Sequence, residues 1–183
     1  MEQLTAKKLE NEATDRILRT ATSVFADVGF AGARVDEIAK RADINKALIY
    51  YHVGSKETLY GEVIVMTLRK AEARIMQGLS HSATPEGQLR QYIRHIAQFI
   101  DEYPEIAPLM LRELASEWEH FPAEAFQTFQ RILRLLKKLL TTGETQGIFW
   151  PTSPILVHFM IVSPLSILGT IRRNLAKYTT VPE

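Results

Sequence analysis

Apolar residues recur at helical spacing along almost the whole chain, and no strand-like alternation persists beyond a few residues. A chain that carries only the period of the helix builds its core from helix on helix, so the expected fold class is all-α. A first helix is predicted from Thr14, as N-cap, to Gly29, as stop, with Ile17, Leu18, Ala21, Val24, Phe25 and Val28 on one face. Val35, Ile38, Ala39 and Ala42 then fall at i, i+3, i+4 and i+7. Asp43-Ile44-Asn45 interrupts, and a second short helix runs from about Lys46 to Val53. Two short helices with so brief a break have the spacing of a helix-turn-helix.

Ser55 is the expected cap of a helix reaching to about Leu79, roughly 35 Å long and able to connect two parts of the molecule. Leu59, Tyr60, Val63, Ile64, Val65, Met66 and Leu68 make its first half apolar on more than one side. Further helices are expected near 86–103, 109–118, 122–140 and 155–177, the last kinked by Pro164, with a loop over 141–154. Internal repeats are absent.

Composition bounds the function. The chain has 183 residues, 46% apolar, with 22 basic and 21 acidic side chains, which excludes disordered and collagen-like classes. Cysteine is absent, so disulfide frameworks, zinc ribbons, iron–sulfur sites and thiol nucleophiles are excluded, and a cytoplasmic location is expected. The polar start, MEQLTAKKLENEATDR, carries no apolar signal region. The weakly polar run from Ile155 to Ile171 is broken by His158, Ser163, Pro164, Ser166 and Gly169. It is read as a buried helix short of a membrane span, and no membrane partner is expected. The five histidines have no ligand spacing, and Glu117-x-x-His120 with Glu113 is half of a di-iron motif whose second half is missing. No metal and no cofactor are expected, and no nucleophile–base pair or phosphate loop supports an enzyme.

The segment from Arg34 to Tyr60 is the most specific. Gly29-Phe30, Ile38-Ala39, Ala42, Ile44, the run Ile49-Tyr50-Tyr51-His52-Val53 and Ser55-Lys56-Glu57 resemble the DNA-binding domain of TetR-family transcriptional regulators over about residues 14–60. The resemblance implies an N-terminal three-helix helix-turn-helix domain, residues 1–57, whose first residues, with Lys7 and Lys8, form a flexible arm. A long helix then joins it to a C-terminal helical ligand-binding and dimerisation domain, residues 58–183. It implies a homodimeric repressor that binds a near-palindromic double-stranded operator and releases it on binding a small-molecule effector. The alternative reading is an effector-independent DNA-binding or protein-interaction module with a filled C-terminal core.

Helix-turn-helix geometry assigns the contacts. Asn45, Lys46, Ala47 and Leu48 begin the recognition helix and meet base edges. Tyr50, Tyr51 and His52 reach phosphates or thymine methyls. Lys56 opens the long helix, where free backbone N–H groups favour a phosphate, and Arg34 clamps another. Asp43 stands where the family often has glycine, and Asp tolerates the left-handed turn conformation. Residues 34–56 carry five basic against three acidic side chains, so affinity is expected to depend strongly on salt.

In the C-terminal part, Met66, Met110, Trp118, Phe121 and Phe126 are the expected lining of an effector cavity, with Arg112, Glu113 and Glu117 orienting a polar end, so a small, uncharged or weakly charged and largely apolar ligand is expected. A dimer seam is expected on the last two long helices through Phe129, Leu133, Leu136, Leu140, Phe159, Ser163, Ser166 and Thr170, the last three forming a stripe that admits close approach.

Overall fold

The computed structural model describes residues 2–175, with side chains described over 12–172. Among the described residues the fold is all-α, in the order α1 (Glu2–Gly32), α2 (Val35–Ala42), α3 (Lys46–Val53), α4 (Lys56–Leu79), α5 (Pro85–Glu102), α6 (Ile106–Ala115), α7 (Ala123–Thr145) and α8 (Pro154–Leu175).

The first helix differs from expectation at its start. Its backbone is helical from Glu2, so Thr14 lies inside it and the expected arm is continuous with it; the Lys7 and Lys8 side chains lie outside the described residues. Its end is where glycine predicts it. Gly29 has φ 74° and ψ 176°, a conformation that breaks the helix before one last turn to Gly32. Asp43 takes the left-handed conformation at φ 52° and closes α2, while Asn45 caps α3 by accepting from the Ala47 N–H at 2.8 Å. Ser55 caps α4 by accepting from Thr58 N–H at 3.1 Å, and Thr84 caps α5.

The middle helices shift from their expected bounds for local reasons. Helix α6 starts at Ile106 rather than Leu109, because Pro108 falls in the first turn, where a missing N–H breaks no helical hydrogen bond. It stops at Ala115, and Glu117 and Trp118 follow in consecutive left-handed conformations, φ 56° and 64°. Helix α7 runs on to Thr145, into the expected loop, which shortens to 146–153. Gly143 leaves room for the segment that follows the helix to fold back on it. A Cβ there would lie 2.2 Å from the Phe149 ring, which folds back over the helix. Helix α8 contains Pro164, and its expected end at Lys177 lies outside the described residues.

Two apolar clusters form the core. The first joins Ile17, Phe25, Ile38, Ile49 and Val53 of α1–α3 to Leu59, Tyr60, Val63 and Ile64 of α4, and continues into Leu109, Phe121 and Ala125. The second gathers Ile75, Tyr92, Ile96, Ile100, Ile132, Leu136 and Leu139 from α4, α5 and α7. Burying each such large side chain stabilises the fold by about 1.5–3 kcal/mol relative to exposure. Helix α4 belongs to both clusters, which is why its sequence is apolar on more than one side.

At 22 residues, α8 is the one helix among the described residues long and apolar enough to cross a membrane, so the expectation that it falls short is corrected. It nevertheless packs on α5, α6 and α7 and turns His158 and Ser166 inward, where they are buried.

Candidate nucleic-acid interface and effector cavity

Helices α2 and α3 are amphipathic enough to be held from one side only. Val35, Ile38, Ala39, Ala42, Ile49 and Val53 are buried against α1 and α4, which leaves the start of α3 facing outward. Asn45, Lys46, Ala47, Leu48, Tyr50 and Tyr51 are all exposed there, Tyr51 by 77%, and His52 is half-buried with its ring 5.2 Å from that of Tyr51. A tyrosine so exposed beside another contributes nothing to a core. Arg34 is exposed at the N-cap position of α2 without a capping hydrogen bond, where a ligand phosphate would meet both its charge and the open helix end.

Two of the cations already have protein partners. Lys46 Nζ lies 2.6 Å from Asp36 on α2, which raises the lysine pKa through that hydrogen bond, and 5.8 Å from the Tyr50 ring centre. Lys56 Nζ sits 4.5 Å over the Phe30 ring and 3.5 Å from the Ala31 carbonyl, so the break at Gly29 holds it half-buried. Asn45 is committed through its oxygen to the cap, leaving its amide N–H groups for a base edge. The pairing of Lys46 with Asp36 had no signal in the sequence beyond the presence of the acid on the neighbouring helix.

A cavity of about 320 Å³ lies in the C-terminal part, walled by α4, α5, α6, α7 and α8. Met110, Trp118, Phe121 and Phe126 line it as expected. The three aromatic rings form one cluster, with Phe121 4.9 Å from Trp118 and 4.6 Å from Phe126.

The other expected lining residues lie elsewhere. Met66 is on a different side of α4 from Thr67, Ala71 and Ile75, which share the cavity-facing side at fourfold spacing. Glu117 is exposed in a separate surface depression beside Ala115, Ser116 and Glu119. Glu113 is buried outside the cavity lining, where it accepts a hydrogen bond from the Tyr60 hydroxyl. Burial, and then the Glu113 carboxyl, push the Tyr60 phenol far above its ordinary pKa, so the proton stays on tyrosine. Arg112, beside Glu113, donates from Nε to Ala26 O at 3.2 Å and from Nη2 to Asp27 O at 2.9 Å. It thereby satisfies carbonyls that the break at Gly29 leaves open. Helix α6 thus touches the cavity with Met110, Leu111 and Leu114 and grips α1 and α4 with Arg112 and Glu113.

The expected dimer seam also requires correction. Leu136, Leu140 and Ser166 are buried within the single chain, and Phe129, Phe159, Ser163 and Ser166 line the cavity. Leu133 and Thr170 are half-buried. The small-residue stripe packs within the chain: Ser166 is buried, Ser163 lines the cavity, and a Cβ on the neighbouring Gly169 would lie 3.4 Å from Ile100 of α5. What α8 shows outward is apolar instead. Leu156, Met160, Ile167, Leu168 and Ile171 are exposed, Met160 by 66% and Leu168 by 56%. The outer side of α7, by contrast, carries exposed Arg134, Lys137 and Lys138.

Residues 17–63 match the family model described as bacterial regulatory proteins, tetR family, and residues 85–177 match the tetracyclin repressor-like C-terminal domain. The HTH-type transcriptional repressor NicS of Pseudomonas putida is 29% identical over 175 residues, covering 91% of this chain and 80% of NicS. Among solved structures, the fatty acid degradation regulator FadR from Bacillus halodurans shares the fold with a TM-score of 0.74 at 21% identity, over 91% of this chain and 87% of FadR. AibR, solved in complex with isovaleryl coenzyme A and operator DNA, gives 0.72 at 19% identity over 86% of each chain.

Proposed function

The chain belongs to the tetR family of bacterial regulatory proteins, whose members are DNA-binding transcriptional regulators, and on that premise we propose that it is a cytoplasmic, homodimeric repressor released from its operator by a small apolar effector. The observation that carries the effector reading is the cavity of about 320 Å³, at the small end of the roughly 300–1,000 Å³ usual for small-molecule sites. A filled core, which the effector-independent alternative needs, would leave no such space.

The DNA-binding face is the outward surface of α3 with Arg34 and Lys56 at its edges. Lys46 and Leu48 lie at the end of α3 that enters a major groove in helix-turn-helix docking and read bases, while Arg34, Tyr50, Tyr51, His52 and Lys56 hold the backbone. Residues 1–57 supply this face and 58–183 the cavity and seam, although α4 and α6 share the core of both parts.

The second copy sits on the outward face of α8. A helix that buries His158 and Ser166 and exposes leucine, isoleucine and methionine is inside-out for a monomer, and a second α8 related by two-fold symmetry would cover that face. AibR, which shares the fold, was solved in complex with isovaleryl coenzyme A and operator DNA, so the fold accommodates both kinds of partner. Here the coupling passes through α6 as well as α4. A ligand that moves Met110 and Leu114 carries Arg112 with them and shifts the α1 end that supports Lys56. A preference of the ligand for the released arrangement of about 1.4 kcal/mol weakens operator binding tenfold.

Selecting bound fragments from a random DNA pool with the full-length chain tests the reading. An enriched inverted repeat with half-sites about one helical turn apart is expected. A pool that retains no common sequence would contradict specific operator binding.

A further inference from the structure

The cavity wall carries no formal charge. Its polar side chains are Thr67, Trp118, His158, Ser163 and Ser166, and the remainder of the lining is aliphatic or aromatic. Within α6, Arg112 is engaged on α1 carbonyls and Glu113 accepts from Tyr60 through one oxygen, its other oxygen being buried without a partner among the described residues, and neither lines the cavity. A ligand carrying a net charge into this space would lose its hydration without a counter-ion, a cost of several kcal/mol.

His158 is the polar group best fixed for recognition. It is 8% exposed, its ring packs 5.2 Å from Phe129, and its Nδ1 lies 2.7 Å from the Tyr92 hydroxyl. Tyr92 is fully buried and has no other hydrogen-bond partner among the described residues. If Nδ1 carried the proton and donated to Tyr92, the phenolic hydrogen would be stranded; the phenol therefore donates to Nδ1 and the ring proton sits on Nε2. Tyr92 does not line the cavity and His158 does, so the ring edge left to the cavity is the one carrying Nε2. Burial lowers the His158 pKa to about 4, and the Tyr92 hydrogen bond to Nδ1 further opposes a second ring proton. Also on the wall, Thr67 is 2% exposed and its Oγ1 has no partner among the described residues.

We propose that the cavity takes an uncharged, largely apolar molecule bearing one hydrogen-bond acceptor of the carbonyl type, which accepts from His158 Nε2–H. The proposal rests on the effector reading of the cavity and replaces Arg112, Glu113 and Glu117 with His158 as the group that orients the polar end. Tyr92 is a positioning residue: it fixes the tautomer and does not touch the ligand.

Three probes of nearly one shape test this by calorimetry on the full chain. They are benzylacetone, butylbenzene, which has a methylene for the carbonyl, and hydrocinnamate, which has a carboxylate for the acetyl group. Benzylacetone and butylbenzene are expected to bind, and hydrocinnamate at neutral pH to bind at least about tenfold more weakly than the ketone. His158→Phe is expected to weaken benzylacetone about tenfold and to leave butylbenzene within about twofold. Tyr92→Phe keeps both rings, removes only the hydroxyl, and gives the same split in smaller measure, so the inference stays testable if His158→Phe does not fold. Equal losses for ketone and hydrocarbon, or hydrocinnamate binding as tightly as benzylacetone, overturn the inference and leave the cavity an effector site. Failure of both neutral probes to bind the unaltered chain would remove the effector reading itself.

Discussion

Replacing His158 with phenylalanine flattens the acid limb of the stability curve. In the unfolded chain this imidazole titrates near its ordinary value of 6.5, whereas in the fold burial pushes it down to about 4. Between those values the unfolded chain binds a proton that the folded chain refuses, so the stability present above the upper value is lost as pH falls towards the lower one. Each pH unit inside that window is worth about 1.4 kcal/mol, so passing from about pH 7 to about pH 5 removes about 2 kcal/mol. For a chain of this length the loss corresponds to about 4–8 °C in Tm. The substitution has its own cost at every pH, since Tyr92 loses its acceptor, and that offset of about 1–3 kcal/mol leaves the slope untouched. His95 is also lowered by burial and adds acid sensitivity, but it does so in both proteins and cancels in the comparison. Thermal melts of the two proteins at a series of pH values supply the test. Converging curves towards acid are expected, and parallel curves would refute the buried, neutral state of His158.

Other substitutions divide the roles. Lys46→Ala relaxes the preference at one base position by about 1–3 kcal/mol, whereas Lys56→Ala weakens all sequences evenly and lowers the salt slope by about one, both measured by anisotropy over a range of salt. Met160→Arg on the outward face of α8 yields a folded monomer by light scattering and circular dichroism, with operator affinity reduced about 100-fold because the half-sites are no longer bound as one unit. Arg112→Ala removes two hydrogen bonds to α1, destabilises the chain by about 1–3 kcal/mol and blunts the effect of a cavity ligand on DNA affinity, read by chemical denaturation and by anisotropy with ligand.

The N-terminal unit was legible because its signals are local. Gly29 takes a positive φ, Asp43 the left-handed turn, and Asn45 and Ser55 cap the helices that follow them, each as its own side chain or lack of one dictates. The C-terminal part was read less well because its helices are apolar on more than one side. Periodicity identifies α8 as a helix but does not say which side faces in, and the small-residue stripe suits close packing against α5 as well as against a second copy. The decisive polar residues were hidden for the same reason. Tyr92 and His158 are 66 positions apart and acquire meaning only as a hydrogen-bonded pair, while Arg112 and Glu113, close to Met110 on α6, do not line its cavity and bond to α1 and Tyr60 instead.

Filling the cavity is expected to release DNA. Operator affinity, measured by anisotropy on selected DNA with and without a saturating cavity ligand found by thermal stabilisation, tests it most directly. At least a tenfold loss of affinity is expected in the unaltered chain, and none in Met110→Trp, whose larger side chain occupies the ligand's space. Operator binding that is unchanged while the cavity is demonstrably occupied would contradict the account.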